Sequence, residues 1–487
     1  MNVLKDILYK VNLKEVSGNT HIIIDKVQFD SRKVGKGDVF VAVKGTLSDG
    51  HKFIDKAIES GAIAIIAEEL PVKLIEGITY VKVLDSAHAL GIIASNYFDN
   101  PSAKLQLVGV TGTNGKSTAV TLLYRLFTRL GYKTGLLSTI GNIIGNNTIP
   151  STHTTPDPIS LNNLLDDMVQ QGCSHVFMEV SSHAIHQQRI AGLEFKGGIF
   201  TNLSHDHLDY HKTFSEYIKA KKKFFDDLPD TAFALVNKDD VNGQVMVQNC
   251  KAKAYTYSLK SIADFKARII ENTIAGIQME IDGNQVFTQL VGRFNAYNVL
   301  VVYGTAHLLG FDALEILTVL SGLKTAEGRF ELVHSKGSIT SIIDYAHTPD
   351  ALQNVLNTIQ QVRTGNERII TVVGCGGDRD KDKRPIMAKI ACDLSDQVVF
   401  TSDNPRSEDP LSIIEEMKAG LDSHHFKKYL VMVNREEAIK TACSLASSGD
   451  IILVAGKGHE KYQEISGERI PFDDKEKVEN ILKMMEK

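Results

Sequence analysis

A short polar segment between two apolar runs has residue types and a spacing suited to chemistry. Thr111–Thr118 reads Thr-Gly-Thr-Asn-Gly-Lys-Ser-Thr. Gly112 and Gly115 permit backbone conformations closed to other residues, so successive N–H groups can converge on phosphate oxygens at the positive end of a helix. Lys116 could then reach the β- and γ-phosphates, and the Ser117 hydroxyl could bind Mg²⁺. The segment therefore predicts a nucleotide-binding loop.

This loop departs from the common phosphate-loop pattern. G-x-x-x-x-G-K-[ST] requires glycine at the position of Val110, and this chain has its glycine one place earlier, at Gly109. The alternative is a glycine-rich turn with an incidental lysine. The surroundings favour nucleotide binding, because Leu105–Val110 is apolar and β-prone and apolar residues recur at helical spacing from Ser117 to Leu130.

Two later segments supply candidate metal ligands. The apolar run His175–Glu179 ends in a carboxylate, where a phosphate-loop enzyme needs a magnesium ligand. Thr201–His211 is rich in histidine and aspartate, and one of its histidines could complete a magnesium shell. The alternative is a dinuclear zinc hydrolase of the H-x-H-x-D-H pattern. That match breaks at Tyr210, and such an enzyme has no use for a phosphate loop.

Composition narrows the class of protein. A chain of 487 residues that is 43% hydrophobic is long enough for two to four domains. Its net charge of -5 indicates no broad basic surface for nucleic acid, so small-molecule partners are expected. The five scattered cysteines fit reduced thiols. Met1–Leu13 lacks a signal-peptide core and no apolar run reaches spanning length, so we expect a cytoplasmic protein without membrane insertion.

The elements that position these residues alternate between strand and helix, which predicts an α/β fold. We place domain boundaries at 1–98, 99–331 and 332–487. In the first domain, Asp30–Arg32 lies in a loop, where turn chemistry is its simplest explanation. In the last, predicted strands precede polar segments at Gly374–Arg384, Ser402–Arg406 and Gly456–Glu460. Because the carboxyl ends of parallel strands meet at one edge of a sheet, these loops are candidates for one site, the alternative being a mixed-charge solvated surface.

Taken together, the motifs resemble the Mur ligase family of peptidoglycan synthesis. The resemblance covers essentially the whole chain, through Asp30–Arg32, Thr111–Thr118, Thr154-Thr155, Met178–His183, Asp206–His211, Gly292–Asn298, Asp344–His347, Gly376–Arg384, Asp403–Arg406 and Gly456–Glu460. It implies an amino-terminal domain for the UDP group, a central phosphate-loop ATPase with a mostly parallel sheet, and a Rossmann-like carboxyl-terminal domain for an amino acid.

The resemblance also implies roles for individual residues. The ATP positions are Gly112, Thr113, Asn114, Gly115, Lys116, Ser117, Thr118, Asn295, Asn298, Arg329 and Asp344. The positions for a UDP-linked muramoyl dipeptide are Ser31, Thr46, Leu47, Ser48, Thr154, Thr155, Ser181, Gln187 and Arg189. The positions for diaminopimelate are Arg379, Asp403, Asn404, Pro405, Arg406, Gly456 and Glu460.

For catalysis, the resemblance implies a lysine carrying a carbamate on the helix after the histidine-rich loop. The matching residue is Lys221, with Lys222 and Lys223 beside it. As N6-carboxylysine it would hold Mg²⁺ together with Ser117, Glu179 and His207, and Lys116, Glu179, His207 and Lys221 would be the catalytic set.

The expected reaction is ATP-dependent amide formation. The γ-carboxylate of D-glutamate in UDP-N-acetylmuramoyl-L-Ala-D-Glu would be activated as an acyl phosphate and attacked by meso-diaminopimelate, with Arg406 pairing the far carboxylate of the amino acid. We expect a monomer. The alternatives are the L-lysine-adding relative, a folylpolyglutamate-type ligase, against which Asp30–Arg32 and Asp403–Arg406 argue, and a nucleotide-binding switch without ligase chemistry.

Overall fold

The computed structural model describes residues 2–45, 48–145, 147–151, 153–204, 208–335 and 337–487. Its amino-terminal unit has a five-stranded sheet in the order β2-β7-β6-β5-β4, parallel except at the β2–β7 edge, beside the short β1–β3 pair. The elements are β1 (Asn2–Val3), α1 (Leu4–Ile7), β2 (Leu13–Ser17), β3 (Ile23–Ile24), β4 (Val27–Gln28), β5 (Val39–Val41), α2 (Ile54–Glu59), β6 (Ala64–Ala67), β7 (Thr79–Val83) and α3 (Ser86–Tyr97).

The central unit is built on one long sheet in the order β11-β10-β9-β12-β8-β13-β14-β15-β16-β17-β18. Neighbours pair in parallel from β9 to β16, and both ends of the sheet are antiparallel. The elements are β8 (Gln106–Thr111), α4 (Lys116–Arg129), β9 (Thr134–Leu137), β10 (Asn142–Ile144), β11 (Asn147–Ile149), α5 (Pro158–Gln170), β12 (His175–Glu179), α6 (Ser182–His186), β13 (Gly197–Phe200), α7 (Leu208–His211), α8 (Phe214–Asp226), β14 (Phe233–Asn237), α9 (Gly243–Met246), β15 (Lys253–Ser258), β16 (Phe265–Thr273), β17 (Gly276–Ile281), β18 (Asn284–Thr288), α10 (Arg293–Leu308) and α11 (Ala313–Ser321).

The carboxyl-terminal unit has a six-stranded sheet in the order β19-β20-β24-β21-β22-β23, parallel except for β19, and a separate β25–β26 hairpin. The elements are β19 (Glu331–His334), β20 (Thr340–Asp344), α12 (Pro349–Val362), β21 (Ile369–Val373), α13 (Lys383–Leu394), β22 (Gln397–Phe400), α14 (Pro410–Lys418), β23 (Tyr429–Val431), α15 (Arg435–Leu445), β24 (Ile451–Ala455), β25 (Tyr462–Ile465), β26 (Glu468–Pro471) and α16 (Asp474–Met484).

The core under the predicted nucleotide loop shows why this fold is stable. Helix α4 buries Leu122, Leu123, Leu126 and Phe127 completely, a spacing that places them on one face toward β9 and β12. The Phe127 ring lies 4.9 Å from the ring of Phe177 on β12. Burying each such side chain contributes about 1.5–3 kcal/mol. The apolar face of α4 thereby fixes where the loop before it must lie.

The predicted α/β class with mostly parallel sheets is confirmed. In the described part of the chain, no helix is long and apolar enough to cross a membrane.

Candidate active site

The predicted nucleotide loop connects the end of β8 to the start of α4. Gly112 has a φ of +149°, and a Cβ atom there would lie 1.9 Å from the Thr201 hydroxyl oxygen, so this position admits only glycine. The Asn114 backbone N–H donates to the Asn202 side-chain oxygen at 2.9 Å. The loop therefore lies against the segment that follows β13, with its N–H groups at the start of a fourteen-residue helix.

Lys116 folds over this loop. Its Nζ donates to the carbonyl oxygens of Gly112 at 2.9 Å and Thr113 at 2.8 Å. The ammonium group thus lies against the backbone of the loop that is predicted to bind phosphates. It is positioned to exchange carbonyl partners for phosphate oxygens.

Glu179 lies beside the loop because β12 pairs in parallel with β8, in a register that aligns Glu179 with Val110. Its side chain is buried and accepts a hydrogen bond from the Thr139 backbone N–H at 2.9 Å. The backbone oxygen of Glu179 accepts from the Thr155 hydroxyl at 2.8 Å. One strand end thus joins the predicted phosphate site to the predicted dipeptide positions.

Lys221 differs from the neighbouring lysines of α8 in burial and in the contacts of its side chain. Its side chain is 1% exposed, and its Nζ donates to the Gly112 carbonyl oxygen at 2.8 Å and lies 4.7 Å from the centre of the Tyr217 ring. Three other lysines of the helix form ion pairs with acidic residues of the helix or of its C-cap, Lys219 with Glu216, Lys222 with Asp226 and Lys223 with Asp227. Of this set, Lys221 is the one that reaches the nucleotide loop.

The described oxygen atoms at this edge fit a hard cation. The Ser117 hydroxyl at the start of α4 and the Glu179 carboxylate are oxygen ligands of the kind that Mg²⁺ prefers. The predicted ligand His207 lies outside the described residues, as do Thr46 and Leu47 among the predicted UDP positions.

The other predicted nucleotide residues lie on α10, in the segment before β19 and at the end of β20. On α10, the Asn298 side-chain amide donates to the Asn295 side-chain oxygen at 2.9 Å. Arg329 Nη2 donates to the Ser117 hydroxyl at 3.1 Å. The Asp344 carboxylate accepts the Phe330 backbone N–H at 2.6 Å, and burial raises the pKa of this carboxyl to about 6.

A cavity of about 1280 Å³ lies between the amino-terminal and central units. Of the predicted dipeptide-site residues, Ser31, Ser48, Gln187 and Arg189 line it. Arg189 Nη1 donates to the Thr155 backbone oxygen at 2.7 Å, and Arg189 Nε donates to the Gln187 side-chain oxygen at 3.0 Å. Thr154 connects to the nucleotide side, because its hydroxyl accepts from that of Thr139 at 3.2 Å. Ser181 caps α6 through the Ala184 N–H.

Three loops of the carboxyl-terminal unit meet at the carboxyl edge of its sheet, as expected. The Asn404 side-chain amide donates to the Glu460 carboxylate at 2.7 Å, and Lys457 Nζ donates to the Asn404 side-chain oxygen at 2.9 Å. A Cβ atom at Gly456 would lie 2.5 Å from an Asp403 carboxylate oxygen. Burial, followed by the nearby Asp403 charge, raises the pKa of Glu460.

Arg406 and Arg379 belong to the same set of loops. Arg406 Nη1 donates to the Gly377 backbone oxygen at 2.6 Å, while Arg379, two residues further along that loop, is exposed. Pro405 precedes Arg406, and its backbone oxygen faces Gly377. The predicted diaminopimelate positions are therefore close together.

Sequence reasoning missed Asp350, in the first turn of α12. Its carboxylate accepts hydrogen bonds from the Asn114 side-chain amide at 3.0 Å and the Ser204 hydroxyl at 2.9 Å. It thus links the carboxyl-terminal unit to the nucleotide loop. No local signal in the sequence distinguishes it from an ordinary acidic residue at a helix start.

Three family models match this chain. They are the Mur ligase family catalytic domain over residues 23–98, the Mur ligase middle domain over 110–306, and the Mur ligase glutamate ligase domain over 328–458. A protein of Cytophaga hutchinsonii named UDP-N-acetylmuramoyl-L-alanyl-D-glutamate–2,6-diaminopimelate ligase is 60% identical over 98% of this chain and 99% of its own length. The chain belongs to the Mur ligase family. The resemblance seen in the sequence is thereby confirmed.

Other Mur ligases are also similar to this chain, in sequence or in structure. A Bacteroides fragilis protein of the same name is 55% identical over 99% of both chains. A solved structure of that name superposes with a TM-score of 0.72 at 32% identity, covering 100% of this chain and 99% of its own. The ADP complex of MurF from Thermotoga maritima, at 21% identity and a TM-score of 0.62 over 95% of this chain and 98% of its own, shares the fold.

Proposed function

We propose that this Mur ligase joins meso-2,6-diaminopimelate to the D-glutamate γ-carboxylate of UDP-N-acetylmuramoyl-L-Ala-D-Glu, with hydrolysis of ATP to ADP and phosphate. The observation that carries the proposal is the 60% identity, over nearly the full length of both chains, to a protein named for that reaction. The names of the relatives confirm the reaction predicted from the sequence. We further propose a cytoplasmic monomer with domain boundaries at 1–98, 99–331 and 332–487.

The chemistry begins with activation of a carboxylate, because an oxide ion is a poor leaving group. A γ-carboxylate oxygen attacks the terminal phosphorus of ATP, the bond to ADP breaks, and an acyl phosphate results. Both reactants are anions, so Lys116 and the N–H groups of the nucleotide loop must neutralise charge in the transition state. Their placement at the start of α4 supports that role.

Mg²⁺ would supply further neutralisation of the phosphate charge. We propose that Ser117, Glu179, His207 and Lys221 hold it, with Lys221 as N6-carboxylysine. The Lys221 ammonium would first lose a proton, and the resulting amine would take up CO₂ and lose a second proton, so a cationic side chain becomes an anionic oxygen ligand. The burial of Lys221 against the nucleotide loop supports this assignment.

The second step forms the amide. The amine of diaminopimelate attacks the acyl carbon, phosphate leaves, and the nitrogen loses a proton. The loops of the carboxyl-terminal unit would orient this amine, and exclusion of water would protect the acyl phosphate. Arg406 would pair the far carboxylate of the substrate, which lysine lacks. Each hydrogen bond to a charged group contributes about 1.5–3 kcal/mol.

A ligation assay with UDP-N-acetylmuramoyl-L-Ala-D-Glu and ATP, comparing meso-diaminopimelate with L-lysine, tests the proposal. We expect product with diaminopimelate and a preference over lysine of at least about tenfold. Arg406→Ala should remove most of that preference with little change in the KM for ATP. Equal use of the two amino acids by the wild type would contradict the assignment. Phosphate release that needs neither the UDP-dipeptide nor an amino acid would favour a nucleotide-binding switch.

A further inference from the structure

A buried charge cluster connects two of the loops predicted to bind the amino acid. Arg384, at the start of α13, is completely buried. It forms a bidentate pair with Glu408, with Nη1 and Nη2 each donating to one carboxylate oxygen at 2.9 Å. Its Nη2 also donates to the Gly376 backbone oxygen at 3.2 Å. The guanidinium group therefore holds one loop through its backbone and the other through Glu408.

Glu408 also binds the backbone of the opposite loop directly. One of its carboxylate oxygens accepts the Asp378 N–H at 2.6 Å. In return, the Asp378 carboxylate accepts from the Ser407 hydroxyl at 2.6 Å and from the Ser407 N–H at 3.2 Å. The Arg384 hydrogen bonds lower the pKa of Glu408 to about 2, so the residue is charged at neutral pH. Each of the two loops thus donates hydrogen bonds to a carboxylate of the other.

These contacts lie next to the two arginines predicted to hold the substrate. Asp378 and Arg406 both have left-handed backbone conformations, with φ of +53° and +52°. Asp378 directly precedes Arg379 in the chain, and Glu408 lies two residues after Arg406. Such conformations are uncommon for residues other than glycine, so contacts must hold each backbone in place. The Glu408 carboxylate holds Asp378, next to Arg379, while the Arg406 backbone pairs with Glu464 and Ser466. Glu408 thereby ties the loop of Arg379 to the loop that carries Arg406.

We propose that Glu408, held by Arg384, is a positioning residue for diaminopimelate, setting the spacing between Arg379 and Arg406. This inference rests on the function proposed above. The competing explanation is an ion pair that only stabilises the fold. Glu416 distinguishes the two explanations. It accepts hydrogen bonds from the same Arg384, at 2.5 Å, and from the Lys381 side chain. Glu408 additionally accepts the backbone N–H of Asp378 on the opposite loop.

The test compares Glu408→Gln with the matched control Glu416→Gln. In Glu408→Gln the KM for diaminopimelate should rise about tenfold or more, with the KM for ATP and for the UDP-dipeptide within about twofold of the wild type. The preference for diaminopimelate over lysine should fall. Glu416→Gln should leave all three KM values and the preference within about twofold.

A milder variant guards against misfolding. Ser407→Ala removes a hydrogen bond to Asp378 and should raise the KM for diaminopimelate severalfold, with an unchanged thermal midpoint. If Glu408→Gln and Ser407→Ala leave that KM unchanged, or if all three KM values rise together, the positioning role is wrong. A wild type that ligates no diaminopimelate would instead overturn the proposed function and this inference with it.

Discussion

Lys221 differs from the lysines beside it in the direction that α8 gives its side chain. It shares the buried face of the helix with Tyr217, Phe224 and Phe225, at spacings of three or four residues. The sequence motif indicated this residue, but the consecutive lysines gave no independent support. Burial supplies that support, because Lys221 is buried whereas Lys222 and Lys223 pair with Asp226 and Asp227 at the end of the helix.

Replacing Lys221 should therefore act on phosphoryl transfer. Lys221→Ala is expected to lower kcat for phosphate release by about 100-fold or more, the usual cost of losing one electrostatic group at such a site. Lys222→Ala and Lys223→Ala, which lose only the ion pairs with Asp226 and Asp227 at the end of the helix, should stay within about twofold. With ¹³C-bicarbonate, the wild type should give a carbamate NMR signal that Lys221→Ala lacks. Equal losses in all three variants would contradict the assignment.

Asp344 should make stability depend on pH. Its pKa in the folded protein is raised from 3.8 to about 6, chiefly by burial, so between these values the folded state keeps a proton that the unfolded chain releases. The free energy of unfolding should fall as pH rises from about 4 to 6, by up to about 3 kcal/mol. Asp344→Asn lacks this titration. The thermal midpoint of the variant, relative to that of the wild type, should therefore rise between pH 4.5 and pH 7.5. A constant difference between the two midpoints over this pH range would refute the prediction.

At the scale of elements, local patterns predicted the parts of the sheet that carry the nucleotide loop. The run predicted as a strand at His175–Glu179 is β12 to the residue, and the strand predicted at Leu105–Val110 is β8 shifted by one. Short edge elements are harder to predict: the apolar run Ile22–Ile24 forms only a two-residue strand, in which Ile23 and Ile24 pair with β1. Isolated two-residue pairings depend on a partner far along the chain, which a local pattern does not contain.

One hairpin could have been predicted from the sequence. Strands β17 and β18 extend the central sheet, and no element was assigned to them from the sequence. The run Gly276–Ile281 alternates apolar and polar residues and is followed by Asp282-Gly283, a dipeptide that favours a tight hairpin turn. The signal was present, so this omission is not a limit of the sequence.

The position of the loop between β8 and α4 can be tested by substituting one of its glycines. Gly112→Ala places a Cβ atom 1.9 Å from the Thr201 hydroxyl oxygen, so the loop must move away from β13. We expect nucleotide affinity, measured by calorimetry with ADP, to fall about tenfold or more. Gly131→Ala is the control: it also has positive φ, at +90°, but its Cβ would meet nothing within 4 Å.

The two substitutions separate backbone strain from displacement of the loop. Gly131→Ala should cost about 1 kcal/mol of stability through its left-handed backbone, without changing nucleotide affinity. An equal loss of ADP affinity in both variants would mean that strain alone, rather than the contact between the loop and Thr201, explains the effect.

At the scale of the molecule, the sequence indicated which loops carry chemistry but not which units touch. Motif residues such as Lys116 and Arg406 can be recognised in the sequence because each stands in a short pattern of defined residue types. Asp350 is not, since its partners Asn114 and Ser204 lie 236 and 146 residues away. Only the folded chain brings the start of α12 to the nucleotide loop, and the side chain there is otherwise an unremarkable acid in a first helical turn.

Asp350 should therefore couple the carboxyl-terminal unit to the nucleotide loop. Asp350→Ala removes acceptors for the Asn114 amide and the Ser204 hydroxyl, so we expect a larger radius of gyration in small-angle X-ray scattering and kcat lower by about tenfold. Asp350→Asn, which keeps one acceptor oxygen, should be intermediate. Glu436→Ala is the matched control, because Glu436 is also an acid in the first turn of a helix of this unit but pairs with Lys477 at 2.9 Å. If Asp350→Ala and Glu436→Ala behave alike in both measurements, Asp350 serves only its own helix and the contact does not hold the units together.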